Sequence, residues 1–221
     1  MYEHLFKIRK PVVFGGPSID LWPENSNRYL DIRTPVQRGD LDDLINEPDP
    51  GVCIIIDGVF GGKMAITPTE CRELLEKGWL LMGSSSMGAL RAADLWSLGM
   101  IGIGDIYNDY RLSINKSDGE VAVVYDQNTF EEKTISLVHI KAVLDKLCCN
   151  KIITIGEYKK LLAIGKNILW FERFPAHLEQ EWKKYAEESM DFIPLFKNHH
   201  THPKKLDAAK LLNFIRKILP F

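Results

Sequence analysis

Residues 79–99, WLLMGSSSMGALRAADLWSLG, join a short apolar run, a turn of small residues and a helical pattern. The run at residues 79–82 shows no polar alternation, which is typical of a strand buried on both faces. The following helix is predicted from Ala89 to Leu98, with Gly99 as its C-terminal stop. A buried strand that leads directly into a helix indicates a parallel α/β layer.

Two earlier apolar runs, residues 11–14 and 52–56, repeat this pattern, and each precedes a glycine-containing turn. Before the third run, Thr67 and Glu70 form a T-x-x-E capping box, and their helix is predicted to end at Gly78. The repetition predicts an α/β fold with a Rossmann-like three-layer core and a mainly parallel sheet.

The pattern changes near residue 120. Two short runs, residues 121–125 and 134–137, predict a hairpin or two edge strands, and the remainder is helical, with a second capping box at Thr154 and Glu157. We expect an α/β core over residues 1–150 and a helical C-terminal extension over residues 151–221. The predicted helices are residues 138–147, 155–171, 176–190 and 204–219.

The composition is that of an ordinary soluble chain. Its 221 residues are 45% hydrophobic, and 28 Lys and Arg against 30 Asp and Glu leave a net charge of −2. This balance gives no general attraction to nucleic acid or anionic lipid. We find neither a signal-peptide core nor an apolar stretch of roughly 20 residues, and the four cysteines form no CxxC pair. We therefore expect a cytoplasmic protein with reduced cysteines, no nucleic-acid partner and no membrane.

The turn at residues 83–88, GSSSMG, is the first candidate for chemistry. Helix N-termini at the carboxyl ends of parallel strands present unpaired N–H groups that can hold an anion or oxyanion. Read as S-x-S-x-G from Ser84 to Gly88, the turn resembles a nucleophile elbow with Ser86 at its apex. The alternative is that these serines only cap the helix.

An activated serine needs a base, which is usually histidine. His139 is the only histidine that follows the serines within the predicted core. Asp57 ends the second strand on the same sheet edge and either accepts a proton, orients a serine or Arg91, or caps its own loop. Arg91 either holds a carboxylate or thiocarboxylate, or pairs with Asp94 or Asp57.

Other charged or polar groups give weaker signals. The residues 38–40, Arg-Gly-Asp, and Glu120 lie near predicted strand ends, where salt bridges and caps explain them. The histidines of residues 199–202 lack a nearby Cys or Asp, so we expect a solvated loop and no metal site. The chain has no GxGxxG or GxxxxGK[ST] motif, and we predict no nucleotide and no other cofactor.

A set of ordered strings resembles the TfuA-like family from Val12 to Val123, and the string MGALRAA is highly specific. The strings are VVFGGPS (12–18), RGD (38–40), IIIDGVFG (54–61), ITPTE (66–70), GSSSMGALRAADL (83–95), GMIGIGDIY (99–107) and GEVAV (119–123).

This resemblance implies a function. Members of the family are encoded with YcaO-domain proteins, which use ATP to activate peptide-backbone amides and install thioamides in ribosomally made peptides. The expected role is supply of sulfide by hydrolysis of a thiocarboxylate at the C-terminus of a small ubiquitin-like sulfur carrier. The expected partners are the YcaO-domain protein, the carrier and a precursor peptide. The alternatives are a non-catalytic adaptor for the YcaO partner and a serine hydrolase of small esters.

The resemblance also implies site residues. His139 stands where Asn is common in the family, which argues against it as a base and favours Asp57 or Glu120 with a pKa raised by burial. Ser84 stands where alanine is usual. The catalytic candidates are Ser86, Ser85, Asp57, Arg91 and Glu120. The substrate-binding candidates are Gly16, Pro17, Ser18, Arg38, Asp40, Gly58, Phe60, Met87 and Gly88.

Overall fold

The computed structural model describes residues 4–19, 26–62, 64–185, 191–198 and 201–219. The chain forms two compact units, one of Met1–Lys116 with Lys204–Phe221 and the other of Ser117–Pro203. The domain division expected at residue 150 stays a prediction.

The first unit contains a five-stranded sheet in the order β2-β1-β3-β4-β5, and every pair of neighbours is parallel. This confirms the predicted fold class. The central strands β1, β3 and β4 are the three apolar runs of the sequence. The edge strands β2 and β5 were missed because each has three residues that are only partly buried or exposed, so no apolar run marks them. The strands are β1 Val12–Phe14, β2 Asp31–Arg33, β3 Val52–Ile55, β4 Leu80–Ser84 and β5 Ile101–Ile103.

Helices cover both faces of this sheet. On one face, Leu74 of α4 and Ala92 of α5 join the core cluster of Phe14. On the other face, Leu211 and Ile215 of α11 pack in the core cluster of Val13, Ile54 and Met82. The final helix of the predicted C-terminal extension is therefore a layer of the α/β fold. The helices of this unit are α1 Leu5–Ile8, α2 Ser26–Tyr29, α3 Asp42–Ile45, α4 Pro68–Glu76, α5 Met87–Leu95, α6 Asp105–Arg111 and α11 Pro203–Arg216.

The local signals that fix helix ends are confirmed. Thr67 and Glu70 exchange both capping-box hydrogen bonds at the start of α4, and Gly78 follows that helix with φ +88°. A 3₁₀ turn, Trp96–Leu98, extends α5, and Gly99 ends it with φ +106°. Both glycines adopt the left-handed conformation that side chains disfavour.

The second unit is helical and has its own apolar core around Leu144, Leu161 and Trp182. Neither the hairpin nor the two edge strands predicted at residues 121–125 and 134–137 form: the described part of this unit has one isolated antiparallel bridge, Tyr125 to Glu132. The capping box at Thr154 is confirmed. Residues 186–190 of the predicted 176–190 helix lie outside the described residues. The helices are α7 Leu137–Cys149, α8 Ile155–Asn167, α9 Pro175–Trp182 and α10 Ile193–Phe196, and a 3₁₀ turn spans Asp118–Glu120.

The cysteines and the helix lengths agree with the sequence. All four cysteines are free. Among the described residues, no helix has the length and apolar character needed to cross a bilayer.

Candidate functional site

The candidate site lies at the carboxyl edge of the sheet, where the turns after β1, β3 and β4 are joined by backbone hydrogen bonds. The Ile56 and Asp57 amides both donate to the Phe14 carbonyl, at 2.9 and 3.3 Å. The Ser86 and Gly88 amides both donate to the Ile56 carbonyl, at 3.2 and 3.3 Å. The three turns therefore form one continuous edge, which is where open α/β sheets bind ligands.

Small residues let α5 begin directly against the strands. A Cβ added to Gly88 would lie 1.8 Å from the Ile55 carbonyl oxygen, and one added to Gly83 would lie 2.1 Å from the Gly88 oxygen. A Cβ on Gly58 would lie 2.8 Å from the Met87 Cβ. The glycines of this segment are therefore required by close packing, whether or not the turn has a catalytic role.

The three serines of the turn have different environments. The Ser84 Oγ lies 2.6 Å from the Ile103 carbonyl oxygen and 3.0 Å from that of Asp207. Ser85 has φ +67°, and its buried Oγ has no hydrogen-bond partner among the described residues. Ser86 is the N-cap residue of α5, yet in the described structure its side chain accepts no capping hydrogen bond. The left-handed position of the turn is therefore Ser85, one residue before the apex that the S-x-S-x-G spacing predicted.

Asp57 holds the turn that follows β1. Its Oδ2 accepts the Gly16 and Ser18 amides, both at 2.9 Å, and its Oδ1 accepts the Ser18 hydroxyl at 2.5 Å. Burial raises the pKa of Asp57, while the positive charge of Lys204 and these hydrogen bonds act in the opposite direction. Pro17 is buried in the same turn. The carboxylate thus fixes the turn that follows β1, and its role as a proton acceptor stays a prediction.

Lys204 is the residue at this edge that sequence reasoning missed. It lies in the first turn of α11, and it is fully buried. Its spacing from Ala208, Leu211 and Ile215 follows the apolar stripe of the helix, which places a lysine where a core residue is expected. This spacing is the sequence signal that could have identified Lys204.

Arg91 takes the structural partners that the sequence left as one alternative. Its Nε donates to the Ile66 carbonyl at 3.1 Å, and its guanidinium pairs with Asp94. Its side chain is buried on α5. In the described structure, these contacts tie α5 to the segment that precedes α4.

The predicted residues of the loop after β2 organise that loop. The Asp40 carboxylate accepts the Gln37 amide at 2.9 Å, and the Arg38 Nε lies 3.4 Å from the Ala65 carbonyl oxygen. The Gly39 amide donates to Glu70 at 2.7 Å, which joins the loop to the capping box of α4. Phe60, partly buried, packs against the core below it.

Glu120 and His139 belong to the second unit. Burial lowers the pKa of Arg173, and the charge of Glu120 acts in the opposite direction. His139 is buried, and its ring centroid lies 4.2 Å from that of His202. The predicted loop histidines at residues 199 and 200 lie outside the described residues. Within the described ranges, no group of three His, Cys, Asp or Glu residues has the arrangement of a metal site.

A cavity of about 600 Å³ lies elsewhere in the first unit, beside β1 and β2. Among the charged side chains that line it, Arg9 pairs with Glu47 and Arg33 with Asp31, each at 2.8 Å. No residue of the serine turn lines it. We therefore assign the candidate site from the chemistry of the carboxyl edge and not from cavity size.

The first unit is a parallel α/β fold with a left-handed serine between a central strand and its helix. The sequence model of the TfuA-like protein family matches residues 57–174, more than half of the chain, and the protein belongs to that family. The match includes Asp57 and the serine turn, and it extends past Val123 to residue 174. The comparison with curated proteins found no match.

Proposed function

We propose that this TfuA-like protein acts in the cytoplasm with a YcaO-domain enzyme in peptide-backbone thioamidation. In this proposal it supplies sulfide by hydrolysing a thiocarboxylated, ubiquitin-like sulfur carrier, and the YcaO enzyme acts on a precursor peptide. Membership of the TfuA-like family supports an accessory role in thioamidation. One observation supports the chemistry most strongly: Ser85 combines a left-handed backbone with a buried hydroxyl that has no partner among the described residues.

The first step is attack by the Ser85 Oγ on the thiocarboxyl carbon. A C–O bond forms, the C–S bond breaks, and the serine proton leaves on the sulfur as HS⁻. The product is a carrier–Ser85 ester. Because the leaving group accepts the proton, this step needs no histidine acid.

Water then cleaves the ester. The water loses a proton to the Asp57 carboxylate, and Asp57 returns that proton to the departing Ser85 oxygen. The released carboxylic acid ionises in solvent. Asp57 suits this role because burial raises the pKa of its carboxyl, which makes it a stronger base than an exposed aspartate. Among the described residues, its Oδ1 accepts one hydrogen bond, from Ser18, which leaves a second lone pair for the water.

The site must open for this reaction. Ser85 is 0% exposed and Ser86 is 3% exposed, so the carrier reaches them only after the turns of the edge move apart. The amides of Ser86 and Gly88 already bond the Ile56 carbonyl and must change partner before they can hold an oxyanion. A flexible C-terminal tail is the part of a carrier that is narrow enough to enter such an edge.

The test is sulfide release from a purified thiocarboxylated carrier, followed together with the mass of the carrier. We expect Ser85→Ala to lower the rate by at least about 10³-fold because it removes the nucleophile. Ser97→Ala, at an exposed position after α5, is the control and should retain the wild-type rate. Wild-type release by both Ser85→Ala and Ser86→Ala would contradict the serine mechanism.

A second candidate function is a non-catalytic adaptor that docks or activates the YcaO enzyme. Burial of the serines favours it, and so do three exposed apolar side chains within the segment that matches the family, Leu169, Phe171 and Phe174. Under this function, Phe171→Ser lowers affinity for the YcaO enzyme in a pull-down, whereas Ser85→Ala leaves thioamidation intact. Loss of thioamidation in Ser85→Ala, with partner binding retained, would decide for the enzyme.

A further inference from the structure

The first turn of α11 is anchored at the carboxyl ends of β4 and β5. The Asp207 carboxylate accepts the Ile106 amide at 2.8 Å, and the Asp207 carbonyl lies 3.0 Å from the Ser84 Oγ. A Cβ on Gly104 would lie 2.4 Å from the Asp207 carboxylate, so the chain after β5 closely approaches the helix. These contacts fix the start of α11 beside the serine turn.

Lys204 lies one turn before Asp207, at the spacing that makes two helical residues neighbours on one face of the helix. It is 0% exposed, whereas lysine is almost never fully buried without a compensating charge. The helix packs over the sheet with Ala208, Leu211 and Ile215, and leucine or methionine at residue 204 would extend that apolar surface. Packing alone therefore does not account for a lysine here.

The buried charge that Lys204 influences is Asp57. Both residues belong to the first unit, and the positive charge of Lys204 favours the ionised form of the Asp57 carboxylate against the cost of burial. Asp57 in turn holds Ser18 and Gly16. The ammonium of Lys204 thus acts on the same carboxyl edge to which Ser85 belongs.

A thiocarboxylate is an anion, and its addition intermediate carries further negative charge on oxygen. An anion entering this edge is repelled by ionised Asp57. The Arg91 guanidinium is directed to Asp94 and to the Ile66 carbonyl, which precedes α4. A positive charge near Ser85 would favour this anion, and the predicted cations Arg91 and Arg38 are held elsewhere, Arg38 beside the Ala65 carbonyl.

We propose that Lys204 is a substrate-binding residue of this site, whose ammonium holds the negative charge of the thiocarboxylate tail and of the intermediate formed when Ser85 adds to it. This inference rests on the proposed function. It assigns a role in the site to the C-terminal helix, which lies outside the segment that matches the family. The selected substrate class is an anionic C-terminal tail, and a neutral tail of the same length is disfavoured.

The kinetic test compares Lys204→Met and Lys204→Arg with Lys205→Met, a matched control at the adjacent position. We expect Lys204→Met to lower kcat/KM for sulfide release by about 10²–10³-fold, the loss seen when one group that stabilises an oxyanion is removed. Lys204→Arg should retain at least about a tenth of the wild-type value because it keeps the charge. A wild-type kcat/KM in Lys204→Met would overturn the assignment.

A binding test separates this inference from the proposed function. In the Ser85→Ala background, which prevents turnover, we compare the Kd of carriers that end in a thiocarboxylate and in a carboxamide. We expect about a 10-fold preference for the anionic tail with Lys204, and no preference with Lys204→Met. A preference that survives in Lys204→Met would refute the role of Lys204. If wild-type protein releases no sulfide, the proposed reaction is contradicted, but the Kd comparison still shows whether Lys204 selects an anionic tail.

Folding is controlled by circular dichroism. Should Lys204→Met fail to fold, the Asp57→Asn/Lys204→Met double variant removes both buried charges and takes its place in the binding comparison. The reference for this double variant is Asp57→Asn alone, which lacks the same repulsion. Loss of the preference for the anion relative to Asp57→Asn supports the inference, and an equal preference in both variants contradicts it.

Discussion

Replacement of Ser85 should stabilise the protein while it abolishes the proposed activity. The Ser85 Oγ is buried and unpartnered within the described structure, and an unsatisfied buried hydroxyl costs about 1–3 kcal/mol. Removing the oxygen in Ser85→Ala recovers part of this cost but leaves a small void. We therefore expect a gain of about 1 kcal/mol in the free energy of unfolding, or about 2–4 °C in Tm for a chain of this size.

Two further variants make this prediction specific. Ser85→Gly also relieves the left-handed backbone at φ +67°, worth about 1–2 kcal/mol, and loses about 0.5–1 kcal/mol to the greater freedom of glycine when unfolded. It should thus be at least as stable as Ser85→Ala. Ser84→Ala is the matched control because its Oγ is hydrogen-bonded, and it should lose about 1 kcal/mol.

The assay is urea unfolding followed by circular dichroism, with midpoints compared at unchanged m. A loss of stability of about 0.5 kcal/mol or more in Ser85→Ala would show that the hydroxyl makes a structural contact, and the central observation behind the serine mechanism would fall. We expect the change in the free energy of unfolding to be negative for Ser84→Ala and positive for Ser85→Ala.

Three other predictions concern the edge and its supports. Burial raises the pKa of Asp57 in the folded protein. Its contribution to the free energy of unfolding is therefore fully present below the unfolded pKa near 3.8 and is lost as pH rises through the folded pKa. Urea midpoints should fall over this pH range in the wild type and not in Asp57→Asn. Gly88→Ala places a Cβ 1.8 Å from the Ile55 oxygen and should lower the free energy of unfolding by more than about 3 kcal/mol in the same assay. Gly156→Ala, whose nearest contact is at 3.8 Å, is the control and should raise it by about 0.5–1 kcal/mol. Equal effects of the two variants would contradict the close approach at Gly88. Thr67→Ala removes the capping hydrogen bond of α4 and should cost about 1 kcal/mol, and an unchanged Tm would show that the cap contributes nothing.

The parts of the fold that were predictable are those with a local cause. The central strands β1, β3 and β4 are continuous apolar runs because both of their faces are covered, and the capping boxes at Thr67 and Thr154 act within four residues. The apolar residues 121–123 were misread as a strand. They are buried, but the Ala122 amide bonds back to Asp118, so apolarity there reflects burial of a turn.

The candidate site likewise has residues that local sequence predicts and residues that it does not. The turn chemistry after β3 and β4 marked Asp57 and the serines, since glycines and small polar residues at strand ends are visible in the sequence. The choice of Ser85 over Ser86 depends on a backbone angle that spacing does not determine. Lys204 arises from the far end of the chain, and only packing of α11 on the sheet brings it to this edge.

The return of α11 to the sheet has a consequence for how the protein is made. During synthesis, the apolar face around Val13, Ile54 and Met82 has only partial cover, from Leu5 and Phe6 of α1, until residues 203–216 leave the ribosome after the second unit. Late covering of an apolar sheet is a condition for aggregation, and it slows folding through the long loop that must close. A chain ended at residue 150 would lack the part of this cover that α11 provides, so a truncation meant to isolate the α/β part should retain, or replace, its last helix.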